Sequence, residues 1–191
     1  MNTPNKLTVL RILMVPILIV FLMVKSIPNR FLFATIVFII ASFTDHLDGQ
    51  IARKNGQITD FGKFLDPLAD KMLVMSSFIC FVELGLAGAV PVIIILMREF
   101  MVTSVRLIAM GEGKVIAANI WGKIKTVSQI IAIITILGLQ SIVYLFNTSL
   151  YGAFGFAELI NGIVIWISVA FTLISGYIYI KDNINFIKKA K

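Results

Sequence analysis

Four aspartates in the first half of this 191-residue sequence have a spacing that suits metal chemistry. Asp45 and Asp48 are three positions apart and Asp66 and Asp70 are four apart, so on helices each pair shares one face. Carboxylates brought together in a low-dielectric site repel one another, and bound divalent cations remove that repulsion. Oxygen ligands without cysteine suit Mg²⁺, Mn²⁺ or Ca²⁺ rather than zinc. The cluster therefore predicts two such ions about 4 Å apart, the arrangement that clamps the oxygens of a phosphoryl displacement.

Small and basic residues close to the aspartates support this interpretation. Gly49 and Gly62 each stand four positions from an aspartate of their own helix, so a ligand can approach the backbone closely there. Arg53 is placed to hold a phosphate group. His46 lies about 100° around a helix from Asp45 and is expected to pack or face solvent, although a ligand role stays open. The alternative for the whole cluster is a set of helix-end charges solvated at a surface.

The composition identifies the surroundings of these charges as a membrane. Apolar residues make up 59% of the chain and charged residues 14%, and the mean hydropathy is +0.96, which excludes a disordered chain. The net charge of +7, from 17 basic and 10 acidic residues, indicates cytoplasmic loops rather than a nucleic-acid-binding module. The single cysteine, Cys80, permits neither an internal disulfide nor a cysteine zinc site. We therefore expect an all-α integral membrane protein with one domain over residues 1–191.

Six apolar runs predict six transmembrane helices. They cover residues 12–24, 31–43, 72–82, 86–97, 126–146 and 154–180. Only the last two reach the roughly 20 residues that a helix needs to cross the hydrocarbon. Polar segments that still look helical extend the second, third and fourth runs, at 44–53, 61–71 and 98–106. The Asn-Gly pair at 55–56 separates the first two of these segments and allows a helical hairpin in which the acidic faces meet. Residues 1–11 are expected to form a short interfacial segment without a signal-peptide cleavage site.

The distribution of lysine and arginine predicts the orientation of the helices. Both termini and the turns at 54–60 and 111–125 carry most of them, whereas the turn at 83–88 and the loop at 147–158 carry none and the loop at 25–30 carries two. The positive-inside rule places both termini in the cytoplasm, which fits an even number of spans. All three polar segments then lie on the cytoplasmic side, around a polar cavity between the second, third and fourth helices.

The aspartates and their neighbours form a motif that resembles the signature of the CDP-alcohol phosphotransferase family. In this sequence the motif reads Asp45-x-x-Asp48-Gly49-x-x-Ala52-Arg53, then eight residues, then Gly62-x-x-x-Asp66-x-x-x-Asp70. No element of the signature is missing, and every spacing fits. The resemblance implies six helices, a cytoplasm-facing site with two metal ions, and displacement of CMP from a CDP-linked donor by an alcohol.

The resemblance also implies roles for individual residues. It assigns the general base to Asp70, which can contact one metal ion and still face the acceptor. The residues expected to contact the CDP group are Asp48, Gly49, Ala52, Arg53 and Gly62, with Asn5 and Thr8 closing the pocket. The resemblance further implies a homodimer in a bacterial-type plasma membrane, with several spans and an active site that faces the cytoplasm.

Basic residues outside the motif indicate the class of acceptor. Arg98 and Arg106 in the fourth helix, with Lys123 and Lys125 at the start of the fifth, exceed the positive charge that the metal site needs. Such an excess beside two metal ions predicts an acceptor that is itself a phosphate ester. Glu99 shares a helical stripe with Arg106, and the alternative for these two is an ion pair that neutralises itself inside the bundle. The alternative for the two lysines is ordinary positive charge flanking a membrane helix.

The same stretches, with the start Pro4-Asn5-x-Leu7-Thr8-x-x-Arg11, resemble one branch of the family over nearly the whole chain. That branch implies CDP-diacylglycerol as donor, sn-glycerol 3-phosphate as acceptor, and phosphatidylglycerol phosphate and CMP as products. Inositol phosphate or phosphatidylglycerol stays open as the acceptor. A divalent-cation transporter is disfavoured because transporter sites usually lie near the midplane within repeats, and this sequence shows no repeat. An inactive scaffold is disfavoured by the unbroken motif.

Overall fold

The computed structural model describes the backbone of residues 3–55, 60–111, 119–145 and 151–189. It describes the side chains of residues 9–44, 71–109, 111, 119–145 and 155–184. Within these residues the regular structure is entirely α-helical. The helices are α1 (Thr3–Met23), α2 (Arg30–Asn55), α3 (Asp60–Glu83), α4 (Ala89–Gly111), α5 (Ile120–Leu145) and α6 (Tyr151–Lys189). The predicted all-α architecture is therefore confirmed.

Three helices extend beyond their apolar runs, as the sequence predicts. α2 includes the polar segment 44–53, α3 includes 61–71, and α4 includes 98–106. The N-terminal segment differs from the expectation, because α1 begins at Thr3 and continues without a break, so residues 3–11 are not a separate element. Pro4 lies in the first turn of α1, where backbone N–H groups have no intrahelical partner, and therefore does not interrupt the helix.

Two short turns connect successive helices. Between α1 and α2, Asn29 adopts a left-handed conformation with φ of 52°, and Arg30 Nη1 donates to the carbonyl oxygen of Leu22 at 2.7 Å. Between α3 and α4, Gly85 has φ of 71°, and the N–H of Leu86 donates back to a carbonyl oxygen of α3 at 2.8 Å. A left-handed glycine is a common way to end a helix, because it has no Cβ to clash. Both turns reverse the chain. Because the second turn does so, the polar N-terminal part of α3 and the polar C-terminal part of α4 lie on the same side of the bundle.

The helices pack so that α6 reaches the basic part of the bundle. α1 packs against α2 and α3, α2 packs against α5, and α6 packs against both α4 and α5. Side chains without exposed surface fill the centre, and they include Leu18, Leu22, Phe38, Phe78, Phe81, Ile133 and Ile136. Through this packing, one face of α6 lies next to the residues of α4 and α5 that the sequence analysis selected.

The outer surface of the bundle is apolar. Each helix exposes large hydrophobic side chains, among them Leu13, Phe43, Ile79, Met97, Ile131 and Trp166. Soluble monomers rarely expose large apolar patches. In the described part of the chain, Ile120–Leu145 and Gly155–Ile184 are long and apolar enough to cross a membrane, with hydropathies of 1.9 and 2.1. Two shorter apolar helices are Val9–Met23 and Arg30–Thr44. These features are consistent with a membrane protein.

Candidate functional site

The predicted metal ligands lie on two continuous helices. Asp45 and Asp48 belong to α2, and Asp66 and Asp70 belong to α3, so the backbone geometry that places each pair on one face is present. The side chains of these four residues lie outside the described ones. The same holds for the predicted CDP contacts and their histidine neighbour, namely Asn5, Thr8, Gly49, Ala52, Arg53, Gly62 and His46. Among the side chains that are described, no group of three His, Cys, Asp or Glu residues could hold a metal ion. The metal and CDP sites therefore stay predictions.

A buried carboxylate on α4 is surrounded by basic side chains from three helices. Glu99 is 5% exposed, and its Oε1 accepts a hydrogen bond from the ammonium group of Lys125 on α5. Arg98 Nη1 lies 3.3 Å from the same oxygen, and Lys71 Nζ of α3 lies 3.6 Å from Oε2. Three cations thus surround one carboxylate, and the described side chains here carry an excess of positive over negative charge. Because buried charges are poorly screened, this excess attracts an anion.

A hydroxyl group on α4 fixes the position of Lys71. Lys71 Nζ donates to Thr103 Oγ1, and Thr103 donates in turn to the backbone carbonyl oxygen of Glu99 at 2.7 Å. We refer to the residues joined in this way as the Glu99 cluster, which consists of Lys71, Arg98, Glu99, Thr103 and Lys125. Lys71 directly follows Asp70 in α3. The Glu99 cluster therefore begins one position after the last aspartate of the motif.

Arg106 has an environment different from that suggested by the helical stripe. Among the described residues no ion pair joins Arg106 to Glu99, whose partners are the three cations of the Glu99 cluster. The guanidinium carbon of Arg106 lies 5.7 Å from the ring centroid of Tyr179, a 3% exposed residue of α6. Arg106 Nε is buried and has no hydrogen-bond partner in the described part of the chain. Among the described residues, the charge of Arg106 is therefore not neutralised by Glu99.

α6 contributes a stripe of buried hydroxyl groups that the sequence analysis did not select. The stripe consists of Ser168, Thr172, Ser175 and Tyr179. Arg98 Nη2 donates to Ser175 Oγ at 2.6 Å, and Gln129 Nε2 of α5 donates to Thr172 Oγ1 at 3.4 Å. The spacing of four, three and four residues is that of one helix face. A count of polar residues inside the apolar run 154–180 would have found most of this stripe.

The structure brings only part of the predicted acceptor set together. Arg98 and Lys125 belong to the Glu99 cluster, and Arg106 lies eight residues after Arg98 on the same helix. Lys123 is exposed and precedes the buried Lys125 by two positions, which is about 200° around α5. The two lysines therefore lie on opposite sides of α5, and Lys123 does not join the Glu99 cluster.

Comparisons with known proteins agree with the motif. The family model for CDP-alcohol phosphatidyltransferase matches residues 1–174. A protein of Bacillus subtilis (strain 168) named CDP-diacylglycerol–glycerol-3-phosphate 3-phosphatidyltransferase is 44% identical over 193 aligned positions, which cover 95% of each chain. Proteins of the same name from Rickettsia bellii and Haemophilus influenzae are 37% and 38% identical. Those alignments cover 94% and 69% of this chain, and 94% and 73% of the relatives.

Proposed function

The chain belongs to the CDP-alcohol phosphatidyltransferase family, and on that premise we propose that it transfers the phosphatidyl group of CDP-diacylglycerol to sn-glycerol 3-phosphate. The products are phosphatidylglycerol phosphate and CMP, so the chain acts in phospholipid biosynthesis. The names of relatives that match nearly the whole chain support both substrates.

The charge of the Glu99 cluster is the observation that carries the choice of acceptor. A phosphate monoester carries nearly two negative charges, and the described side chains around Glu99 carry an excess of positive over negative charge. Arginine forks and lysine ammonium groups are the side chains that proteins use for such groups. We assign the acceptor phosphate to Arg98, Arg106 and Lys125, with Lys71 next to them. Phosphatidylglycerol, whose phosphodiester carries a single negative charge, would match this basic cluster less well than a phosphate monoester. Inositol phosphate carries the same charge as sn-glycerol 3-phosphate, so the names of the relatives favour glycerol 3-phosphate between these two.

The metal ions belong to the four aspartates of the motif. Asp45 and Asp48 on α2, with Asp66 and Asp70 on α3, are expected to hold two Mg²⁺ or Mn²⁺ ions, because carboxylate oxygens are the ligands these ions prefer. The continuous helical backbone at all four positions supports this assignment. When bound, the ions supply charge neutralisation for the diphosphate of the donor and for the departing CMP.

The transfer itself is a displacement at the β-phosphorus of the donor. The acceptor hydroxyl oxygen forms the new bond to that phosphorus, the bond to the bridging oxygen breaks, and CMP leaves with that oxygen. Asp70 accepts the proton of the hydroxyl group, since an alcohol is a poor nucleophile at neutral pH without a base. The residues that hold the CDP group are Asn5, Thr8, Asp48, Gly49, Ala52, Arg53 and Gly62.

The proposed function includes a topology that places this chemistry at one membrane surface. All six helices span the membrane of a bacterial-type cell, both termini lie in the cytoplasm, and the active site opens to the cytoplasm. The basic residues at both termini and in the turns at 54–60 and 111–125 support this orientation. The exposed apolar side chains on each helix support the spans. We further propose a homodimer, as expected for this family.

One assay tests the proposed function against its alternatives. The purified protein in detergent with Mg²⁺ and CDP-diacylglycerol is given labelled glycerol 3-phosphate, inositol phosphate, glycerol or phosphatidylglycerol, and CMP release is measured. We expect CMP release and labelled lipid with glycerol 3-phosphate. Release with another alcohol alone would change the acceptor. Absence of release with every alcohol, together with Mg²⁺ uptake into vesicles that contain the protein, would indicate a transporter instead.

A further inference from the structure

Three residues of α6 lie next to Arg98 and Arg106, the two arginines of α4 that are assigned to the acceptor. Ser175 Oγ accepts a hydrogen bond from Arg98 Nη2 at 2.6 Å. A Cβ built on Gly176 would lie 3.2 Å from Arg98 Cγ, so the arginine stem occupies the space that a side chain would take. The ring of Tyr179 faces Arg106, with 5.7 Å between the guanidinium carbon and the ring centroid. One short stretch of α6 therefore contacts both arginines.

These α6 residues form one buried face. Ser175 and Tyr179 are one helical turn apart and are 0% and 3% exposed, whereas Tyr177 between them is 69% exposed. The contacts of Arg98 with Ser175 and of Arg106 with Tyr179 advance along both helices in the same direction, so α4 and α6 are parallel here. We refer to Ser175, Gly176 and Tyr179 as the α6 face.

Each member of the α6 face restrains an arginine in a different way. The guanidinium of Arg98 is held at both ends, since Nη1 meets the carboxylate of Glu99 and Nη2 meets the hydroxyl of Ser175. Gly176 allows the close approach that this arrangement needs. The Tyr179 hydroxyl has no hydrogen-bond partner in the described part of the chain, so its aromatic ring provides the contact with Arg106.

We propose that the α6 face is a positioning surface that orients Arg98 and Arg106 for the phosphate of the acceptor. The inference rests on the proposed function, in which these two arginines bind that phosphate. Arginine has a long stem with much rotamer freedom, and a planar fork binds phosphate well only in a restricted orientation. Restraint by α6 removes that freedom before the acceptor binds, which lowers the cost of binding.

The chain offers matched control positions for alanine substitutions at Ser175 and Gly176. Ser168 is a fully buried serine on the same stripe of α6, and its hydroxyl has no hydrogen-bond partner among the described residues. Gly162 is a glycine of the same helix whose added Cβ would meet nothing within 4 Å. Alanine has a higher helix propensity than glycine, so neither glycine variant is expected to break α6.

The experiment compares KM for the two substrates in these variants. We expect Ser175→Ala to raise KM for glycerol 3-phosphate about tenfold, because hydrogen bonds to charged groups have effects of this size. Gly176→Ala should also raise this KM, because the added Cβ would lie 3.2 Å from Arg98 Cγ and displace the arginine stem. The KM for CDP-diacylglycerol, and both constants in Ser168→Ala and Gly162→Ala, should change by less than about twofold. Ser175→Thr, which keeps the hydroxyl group, should recover most of the affinity. Tyr179→Phe keeps the aromatic ring and should leave KM for glycerol 3-phosphate close to the wild-type value. Tyr179→Leu removes the ring that contacts Arg106 and should raise this KM.

Several outcomes would overturn the inference. Equal increases of KM for both substrates, or the same increase in the control variants, would mean that α6 has a general structural role. Unchanged constants in Ser175→Ala and Gly176→Ala, with the wild type active on glycerol 3-phosphate, would refute the α6 face alone and leave the proposed function standing. A wild-type protein that releases no CMP with glycerol 3-phosphate would refute the proposed function, and the inference would fall with it.

Discussion

Lys71 Nζ on α3 lies 3.6 Å from Glu99 Oε2 on α4, and this contact connects the two parts of the candidate site. Lys71 immediately follows Asp70, the last aspartate of the motif and the proposed base. Asp70 belongs to the aspartate motif, and the next residue of α3, Lys71, belongs to the Glu99 cluster proposed to bind the acceptor. The arrangement places a residue of the proposed acceptor site on the same helix as the proposed base.

Loss of one metal ligand should abolish activity without unfolding the protein. Asp48→Asn or Asp66→Asn should reduce CMP release more than about 100-fold, since even outer-shell partners of a metal are worth 10–100-fold. The fold should persist, because each change removes one of several carboxylates that repel one another when no ion is bound. CMP release at saturating Mg²⁺, with thermal unfolding in detergent as the control, measures both effects. Retention of more than a few per cent of the activity would refute the two-metal assignment.

Asp70→Asn should separate turnover from donor binding. We expect CMP release to fall by about 10²–10⁴-fold, the usual contribution of a general base. Binding of CDP-diacylglycerol with Mg²⁺ should persist, because three carboxylates of the motif remain. Calorimetric titration of the donor alongside the CMP assay gives the two quantities. If donor binding falls as far as turnover, Asp70 is a metal ligand only, and another group is the base.

The sequence predicted the helices well because apolar runs and polar helix ends leave clear patterns. The segments 44–53, 61–71 and 98–106 were recognised as helical continuations of short runs, and α2, α3 and α4 include them. The start of α1 was not predicted, because residues 1–11 were expected to form a short interfacial segment before the first apolar run. In the structure Pro4 lies in the first turn, the one place in a helix where proline is well tolerated.

Only part of the candidate site was predictable, because ion pairs between helices depend on how the helices are rotated. The stripe that joins Glu99 to Arg106 was recognised, but Glu99 pairs with Lys71, Arg98 and Lys125. Such contacts join α3, α4 and α5, and no spacing within one helix encodes them. Similarly, Lys123 and Lys125 were grouped because they are close in sequence. Two positions along α5 correspond to about 200° around the helix axis, so the two side chains lie on opposite sides of α5.

Removal of Arg106 should weaken acceptor binding selectively. Arg106→Ala should raise KM for glycerol 3-phosphate about 10- to 100-fold, since hydrogen bonds between charged groups contribute about 1.5–3 kcal/mol. The KM for CDP-diacylglycerol should change little, because the donor is assigned to other residues. Steady-state kinetics with each substrate varied in turn measures the difference.

Lys123→Ala is the control for this prediction. It removes one positive charge near the same end of the bundle, but Lys123 is exposed and does not join the Glu99 cluster. We expect both KM values to stay within about twofold of the wild type. A similar loss of acceptor affinity in Arg106→Ala and Lys123→Ala would indicate general electrostatic attraction rather than a defined phosphate site.

Neutralisation of Glu99 should destabilise the bundle. Glu99→Gln leaves the buried Arg98 and Lys125, with the half-buried Lys71 beside them, without the carboxylate of Glu99. Removal of one partner from a buried ion pair typically costs about 3–5 kcal/mol, because the remaining charge stays uncompensated. We expect the free energy of unfolding in detergent, measured by titration with a denaturing detergent, to fall by that order. Glu83→Gln is the matched control, since Glu83 is exposed at the end of α3, and it should change the free energy of unfolding by less than about 0.5 kcal/mol.

A double mutant distinguishes loss of the ion pair from loss of packing at Glu99. Lys125→Met removes the cation whose ammonium group donates to Glu99 Oε1 while keeping an unbranched side chain of similar length. Glu99→Gln combined with Lys125→Met should be more stable than the sum of the single changes predicts, with a coupling of about 0.5–3 kcal/mol. The remaining excess positive charge then equals that of the wild type, because one cation and one anion have been removed together. Strictly additive losses would show that the two side chains contribute independently, and the Glu99 cluster would not be an electrostatic unit.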